Sequence, residues 1–133
     1  MNFDDYLQIN EVVKIKKDYA KAKALEKMAR SRYNLVNQLN LTKDLASAVF
    51  DNIYEGIKSY LLSKMTEEGY SPKNHKVIIA FSRDVLNLSE TTVNKIDNLR
   101  KLRNDVVYRG KAVTNIDFLK DCLELLKSLI NKS

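Results

Sequence analysis

From Val12 to Leu39 the apolar residues Val12, Ile15, Tyr19, Ala22, Leu25, Met28, Ala29, Tyr33, Val36 and Leu39 fall three or four positions apart. That spacing draws one continuous stripe down a helix, whereas a strand needs strict alternation. The same step recurs at Leu45, Val49, Ile53, Ile57, Tyr60, Leu61 and Met65, at Val93, Ile96, Leu99, Leu102 and Val106, and at Ile116, Leu119, Leu123, Leu126 and Ile130. Breakers are scarce, with 3 Gly and 1 Pro in 133 residues. The chain therefore reads as all-α.

Punctuation divides it. A long helix is expected over about Glu11–Leu39, preceded at most by a separate turn. Thr42 is the expected N-cap of a second helix running to about Thr66. The Gly- and Pro-bearing stretch from Glu68 to Lys73 is expected to be a loop, with Asn74 or Ser71 opening a shorter helix to about Leu86, so that His75 lies in its first turn. Ser89 caps the fourth helix, which ends at Gly110, a suitable left-handed stop. Thr114, followed three residues later by Asp117, resembles a capping box for the fifth. Short connections between four or five helices favour an up-and-down bundle. The length suits a single domain over residues 1–133.

One cysteine, Cys122, and one histidine, His75, exclude an internal disulfide and a Cys/His zinc cluster, and no cofactor fingerprint is present. Cys122 lies beside the last apolar stripe and reads as buried. No apolar run approaches the roughly 18 residues of a membrane span. The N-terminus MNFDDYLQIN is acidic and lacks an apolar core. A soluble, cytoplasmic protein with no membrane association is expected.

The formal charge is +6, and between Glu11 and Arg32 eight basic residues oppose three acidic ones, a local net of +5. Such a run is either a solvated helix face or a footprint for a polyanion. The helical-spaced aromatics Tyr19, Tyr33, Phe50, Tyr54, Tyr60 and Phe81 likewise read as core or as base-stacking surface.

Chemistry concentrates in LRKLRNDVVYRG, Leu99 to Gly110. Arg100, Arg103 and Arg109 offer planar guanidinium groups that grip phosphate with paired hydrogen bonds. Arg100, Asn104 and Tyr108 step by four, drifting only about 40° each time, and share a face. Arg103 and Tyr108 lie about 140° apart around the axis, so they converge only if the helix loosens before Gly110 or a second chain supplies one of them. The competing reading has Arg103 and Arg109 answering the helix dipole while Tyr108 caps the core. His75 is the one side chain that titrates near neutrality, although a lone first-turn histidine is more often structural. Asp51 and Glu55, four apart, could hold a divalent ion, but such pairs are common on solvated faces, and no metal is expected.

The run ASAVFDNIYEGIKSYLLSKMTEEGYSPKNHKVIIAF followed by RKLRNDVVYRG resembles the HEPN family of small helical-bundle proteins of archaea and bacteria. The resemblance covers about Leu41 to Gly110 and, with the flanking helices, the whole fold. It places Arg103 and Asn104 on the family's Arg-polar motif and His75 on its helix-opening histidine. Where the motif's catalytic histidine stands, this chain has Tyr108. The resemblance implies a homodimer and a metal-independent endoribonuclease of the toxin type, in which arginine holds the scissile phosphate and histidine assists attack by the 2′-hydroxyl. Its implied partner is a minimal nucleotidyltransferase antitoxin. A phenol titrates near 10, so about one in a thousand is ionised at neutral pH, and Tyr108 is a poor stand-in for imidazole. The expectation is an RNA- or nucleotide-binding dimer. Arg103 and Tyr108 are its candidate catalytic pair, Arg100, Asn104 and Arg109 contact phosphate, and His75 is an accessory group. The alternatives are a non-catalytic docking module for a nucleotidyltransferase, with Tyr108 structural or a modification target, and a helical interaction protein without a nucleic-acid role.

Overall fold

The computed structural model describes residues 1–132. Within them the order is α1 (Phe3–Gln8), β1 (Val12–Lys14), α2 (Tyr19–Asn37), α3 (Ala46–Glu68), β2 (Tyr70–Pro72), α4 (His75–Asp84), α5 (Glu90–Arg109) and α6 (Ile116–Ile130). The molecule is a predominantly all-α bundle carrying one small antiparallel ribbon. The central helix is α3, which packs against α2, α6, α5 and α4 and contributes Phe50, Ile53, Ile57, Leu61 and Met65 to the fully buried core.

Small residues set the closest approaches. The buried stripe of α2 is Ala22, Ala29 and Val36. On α3, a Cβ added at Gly56 would meet Leu126 Cδ2 at 2.9 Å, so the helix backbone and α6 are in direct contact there. Between α5 and α6, the N–H of buried Val113 donates to Ser47 Oγ (2.9 Å), tying that connection to the first turn of α3.

Four expectations about boundaries are corrected. The first long helix begins at Tyr19, not Glu11, because Asn10 takes a left-handed φ of 61° and the β-branched Val12 and Val13 enter a strand paired with Pro72 and Ser71. The segment expected to be a loop from Glu68 to Lys73 holds the last residue of α3 and the partner strand β2. Helix α3 starts after Leu45 without a side-chain cap, so Thr42 does not cap it. Helix α6 is capped by Asn115, whose side chain accepts from Phe118 N–H, and not by Thr114. Asn74, Ser89 and Gly110 hold the cap positions expected of them.

Gly69 joins α3 to the ribbon. Its φ is +86°, its carbonyl accepts from Ile15 N–H (2.9 Å), and a Cβ there would stand 2.9 Å from the Ile15 carbonyl oxygen. Only glycine meets both demands. Across the ribbon's other face, Phe3 from α1 is buried edge-on against Tyr70 and Phe81, with ring centroids 5.0 and 5.5 Å away. The ribbon thereby fixes where α4 begins, and with it His75.

Candidate functional site

Helix α5 buries Val93, Ile96 and Leu99 and carries Arg100 and Arg103 along the border of that stripe, where they face α3. Arg103 is received by one turn of α3. Its Nε donates to Asp51 Oδ1 (3.2 Å), its Nη2 lies 3.0 Å from Glu55 Oε1, and its guanidinium carbon sits 5.7 Å from the centroid of the Tyr54 ring. Asp51, Tyr54 and Glu55 are spaced i, i+3, i+4, so they project from one face and form a three-sided socket. Burial disfavours the Arg103 charge, but the bond to Asp51 and the Glu55 and Asp51 charges outweigh it and raise the pKa. The side chain keeps 22% of its surface open, enough for a ligand to reach it.

Behind this socket, buried Tyr54 places its hydroxyl 3.3 Å from His75 Nδ1. Burial pushes the Tyr54 phenol up to about 12, against the pull of Arg103 and Arg100, so it stays protonated at neutral pH. His75 is moved the other way. Burial first, then the Lys58, Arg100 and Arg103 charges, lower its pKa, so it is a neutral imidazole at pH 7. Arg100 is held by Asp97 one turn back (Nε to Oδ1, 2.9 Å), and Lys101 shares the same carboxylate at 3.3 Å. Burial works against ionised Asp97, but its bonds to Arg100 and Lys101 hold it below the usual carboxylate range. The site is thus a chain of polar contacts from Asp51 and Glu55 through Arg103 and Tyr54 to His75, flanked by Arg100 and Lys58.

The structure groups Arg103, Arg100 and His75, which the sequence placed on two separate helices. It leaves the other candidates apart. Tyr108 is 79% exposed, which removes the reading in which it caps the core. Arg109 is also exposed, with only a loose approach to Asp105 at 3.8 Å, and Asn104 is half-buried. Because α5 remains helical through Arg109, Tyr108 lies about 140° around the axis and ~7.5 Å along it from Arg103. The loosened helix end that would have joined them within one chain does not form. Asp51 and Glu55 hold a guanidinium between them. Among the described residues, no group of three or more His, Cys, Asp or Glu side chains is placed to hold a metal.

Lys58 was not singled out by the sequence, and Tyr54 only as one of six core or base-stacking aromatics. Tyr54 shares its helical spacing with ordinary core aromatics, and only the long-range meeting of α3, α4 and α5 distinguishes it. Cys122 is buried, and burial with the neighbouring Asp121 pushes its thiol up to about 12, which leaves it unreactive. No helix among the described residues is long and apolar enough to cross a membrane.

Comparison with known proteins adds nothing to this geometry. No family model, curated protein or solved structure matches the chain.

Proposed function

We propose that the chain is a HEPN-like cytoplasmic protein that acts as a homodimer and binds RNA or a nucleotide through Arg103 and Arg100. In this reading its metal-independent ribonuclease chemistry is weakened by Tyr108. The observation that carries the reading is the Arg103 socket. A guanidinium is held at the surface by two carboxylates, and a phosphate oxygen can take over either bond without moving the helix. Arg100 stands one turn away and the neutral imidazole of His75 lies behind Tyr54. This arrangement offsets charge on a phosphate but presents no imidazole on the exposed face of α5. Phosphate binding is therefore supported more strongly than cleavage.

The test is RNA binding and cleavage in the presence of chelator, comparing native protein, Arg103→Ala and Tyr108→His. Native protein is expected to bind single-stranded RNA at low salt, and Arg103→Ala to weaken that binding by ten-fold or more, the effect fading as salt rises. Gain of chelator-resistant cleavage in Tyr108→His would show a site that lacks only its proton-transfer group. Absence of RNA binding by the native protein at low salt removes the reading.

One observation favours a second reading. The Tyr108 hydroxyl, on a side chain 79% exposed at the end of α5, is open to a second protein. A non-catalytic subunit that docks a minimal nucleotidyltransferase, with Tyr108 as its modification target, predicts co-purification with such an enzyme and a nucleotidyl mass increment on the Tyr108 peptide. Metal-independent RNA cleavage by the native protein that Arg103→Ala abolishes counts against it.

A further inference from the structure

Where β2 runs into α4, the structure leaves a cleft of about 390 Å³ between α2, α3 and the ribbon. It shares His75 and Lys58 with the arginine site but is lined by none of Arg100, Arg103 and Tyr54. Three lysines line it from three elements: Lys21 from α2, Lys58 from α3 and Lys73 from the turn before α4. No carboxylate lines it, and none of the three lysines forms an ion pair among the described residues. Glu11, drawn close by the bond from Asn74 Nδ2 to its Oε2 (2.9 Å), stays outside the lining. Three lysines without ion-pair partners among the described residues give the concavity a net positive potential, with the Glu11 carboxylate, bonded to Asn74, at its edge.

The rest of the lining is mixed. Leu25, Leu62 and Ile78 make a hydrophobic wall, while Ser71 and Thr66 add hydroxyl groups. The N-terminus of α4 also opens at this cleft: Asn74 Oδ1 caps Val77 N–H, and the N–H groups of His75 and Lys76 have no partner among the described residues. An anion there meets both the lysines and the positive end of the helix. The volume falls in the roughly 300–1,000 Å³ span of small-molecule sites.

We infer that this cleft binds a phosphate monoester carrying a planar ring, of nucleoside 5′-monophosphate size, with the phosphate on Lys58, Lys73 and Lys21 and the ring against Leu25, Leu62 and Ile78. The inference stands apart from the Arg103 reading, since neither Arg103 nor Arg100 lines this cleft, although Lys58 borders both. The ligand's source is either a free nucleotide or the 5′-phosphorylated end of an RNA.

Calorimetric titration of the full chain with AMP and with ribose 5-phosphate tests it. AMP is expected to bind saturably and at least five-fold more tightly than ribose 5-phosphate. Lys58→Ala combined with Lys73→Ala should weaken AMP ten-fold or more, while Lys58→Arg, which keeps the charge and controls for folding, should retain it. Binding of AMP by Arg103→Ala protein, whatever its RNA affinity, separates this site from the arginine site. Displacement of AMP by a 5′-phosphorylated oligoribonucleotide but not by its 5′-hydroxyl form supports an RNA end as the source, and displacement by neither supports free nucleotide. Three results overturn the inference: no saturable AMP binding at millimolar concentration, equal affinity for ribose 5-phosphate, or unchanged affinity in a folded double-alanine variant.

Discussion

A guanidinium that already has two carboxylate partners is not free to bind RNA at full strength, and this sets what single substitutions at the socket should do. Any phosphate reaching Arg103 competes with Asp51 and Glu55, so these two acids act as internal competitors for the ligand. Asp51→Asn with Glu55→Gln keeps the shape and removes the competing charge. RNA affinity at low salt is expected to rise several-fold, and a fall on filter binding would show that the acids serve the ligand and not the free protein. His75 gives a second residue-scale prediction. Its pKa in the folded chain is lower than the ordinary value of about 6.5. On acidification the unfolded chain therefore takes up that proton first, and stability rises with pH through the window below about 6.5 and is lost as pH falls towards the folded value. Asp84 and Asp97, both held low, lose their contribution only further down, below the usual carboxylate value of about 4. Urea midpoints measured from pH 7 to pH 5 should fall in the native protein and stay flatter in His75→Gln. A native midpoint that does not move across that window sinks the assignment.

At the level of elements, two glycines with similar backbone angles should respond differently to a methyl group. Gly69 (φ +86°) and Gly110 (φ +68°) both end helices in the left-handed region, but a Cβ at Gly69 strikes the Ile15 carbonyl at 2.9 Å while one at Gly110 meets nothing within 4 Å. Gly110→Ala should cost about 1 kcal/mol, the left-handed penalty alone, and Gly69→Ala clearly more, at about 2 kcal/mol or above, because the ribbon must move. Equal losses in urea unfolding would mean that the ribbon yields freely. The ribbon is also the element least legible in the sequence. Val12, Ile15, Tyr19 and Ala22 satisfy the helical step by coincidence, and three-residue strands carry too few positions to show their own period. What makes β1 a strand is its pairing with β2 more than fifty residues away, which no local pattern contains. The long helices were legible because each carries its stripe over several turns, and Asn74, Ser89 and Gly110 because cap chemistry is local. Thr42 misled because a turn, closed by Leu45 N–H on the Thr42 carbonyl, precedes an uncapped start of α3, and Thr114 because its neighbour Asn115 takes the extended cap backbone. In the site, the arginines were visible as residue types. Their partners were not, since the Arg103 socket joins residues 52 positions apart.

Over the whole molecule, the question is how Arg103 and Tyr108 could ever share one phosphate. Helix α5 is continuous through Arg109, and Tyr108 projects into solvent on a different side from the socket. Within one chain the two cannot meet without unwinding the last turns, so a shared site needs Tyr108 from a second copy. That requirement turns the proposed dimer into a statement about which chain supplies which group. In solution the protein should show twice its 15.4 kDa chain mass by light scattering. The composite site can then be tested by mixing. Native chains lack the motif imidazole, and chains carrying both Arg103→Ala and Tyr108→His lack the phosphate-gripping arginine, so in the presence of chelator the native homodimer should cleave RNA at most weakly and the doubly substituted homodimer not at all. A mixed dimer would contain one site with Arg103 from the native chain and imidazole from the other. Cleavage above the native background is expected only after the two are refolded together. Per mixed dimer the rate should be about half that of the Tyr108→His homodimer, which has two such sites, and so about a quarter of it for an equimolar, randomly paired mixture. If Tyr108→His is active alone while the mixture stays silent, the two groups meet within one chain and α5 must open at its end. If the native protein runs at a single chain's mass at micromolar concentration, the composite site is lost altogether, and Tyr108 is left to the reading in which a second protein acts on its exposed hydroxyl.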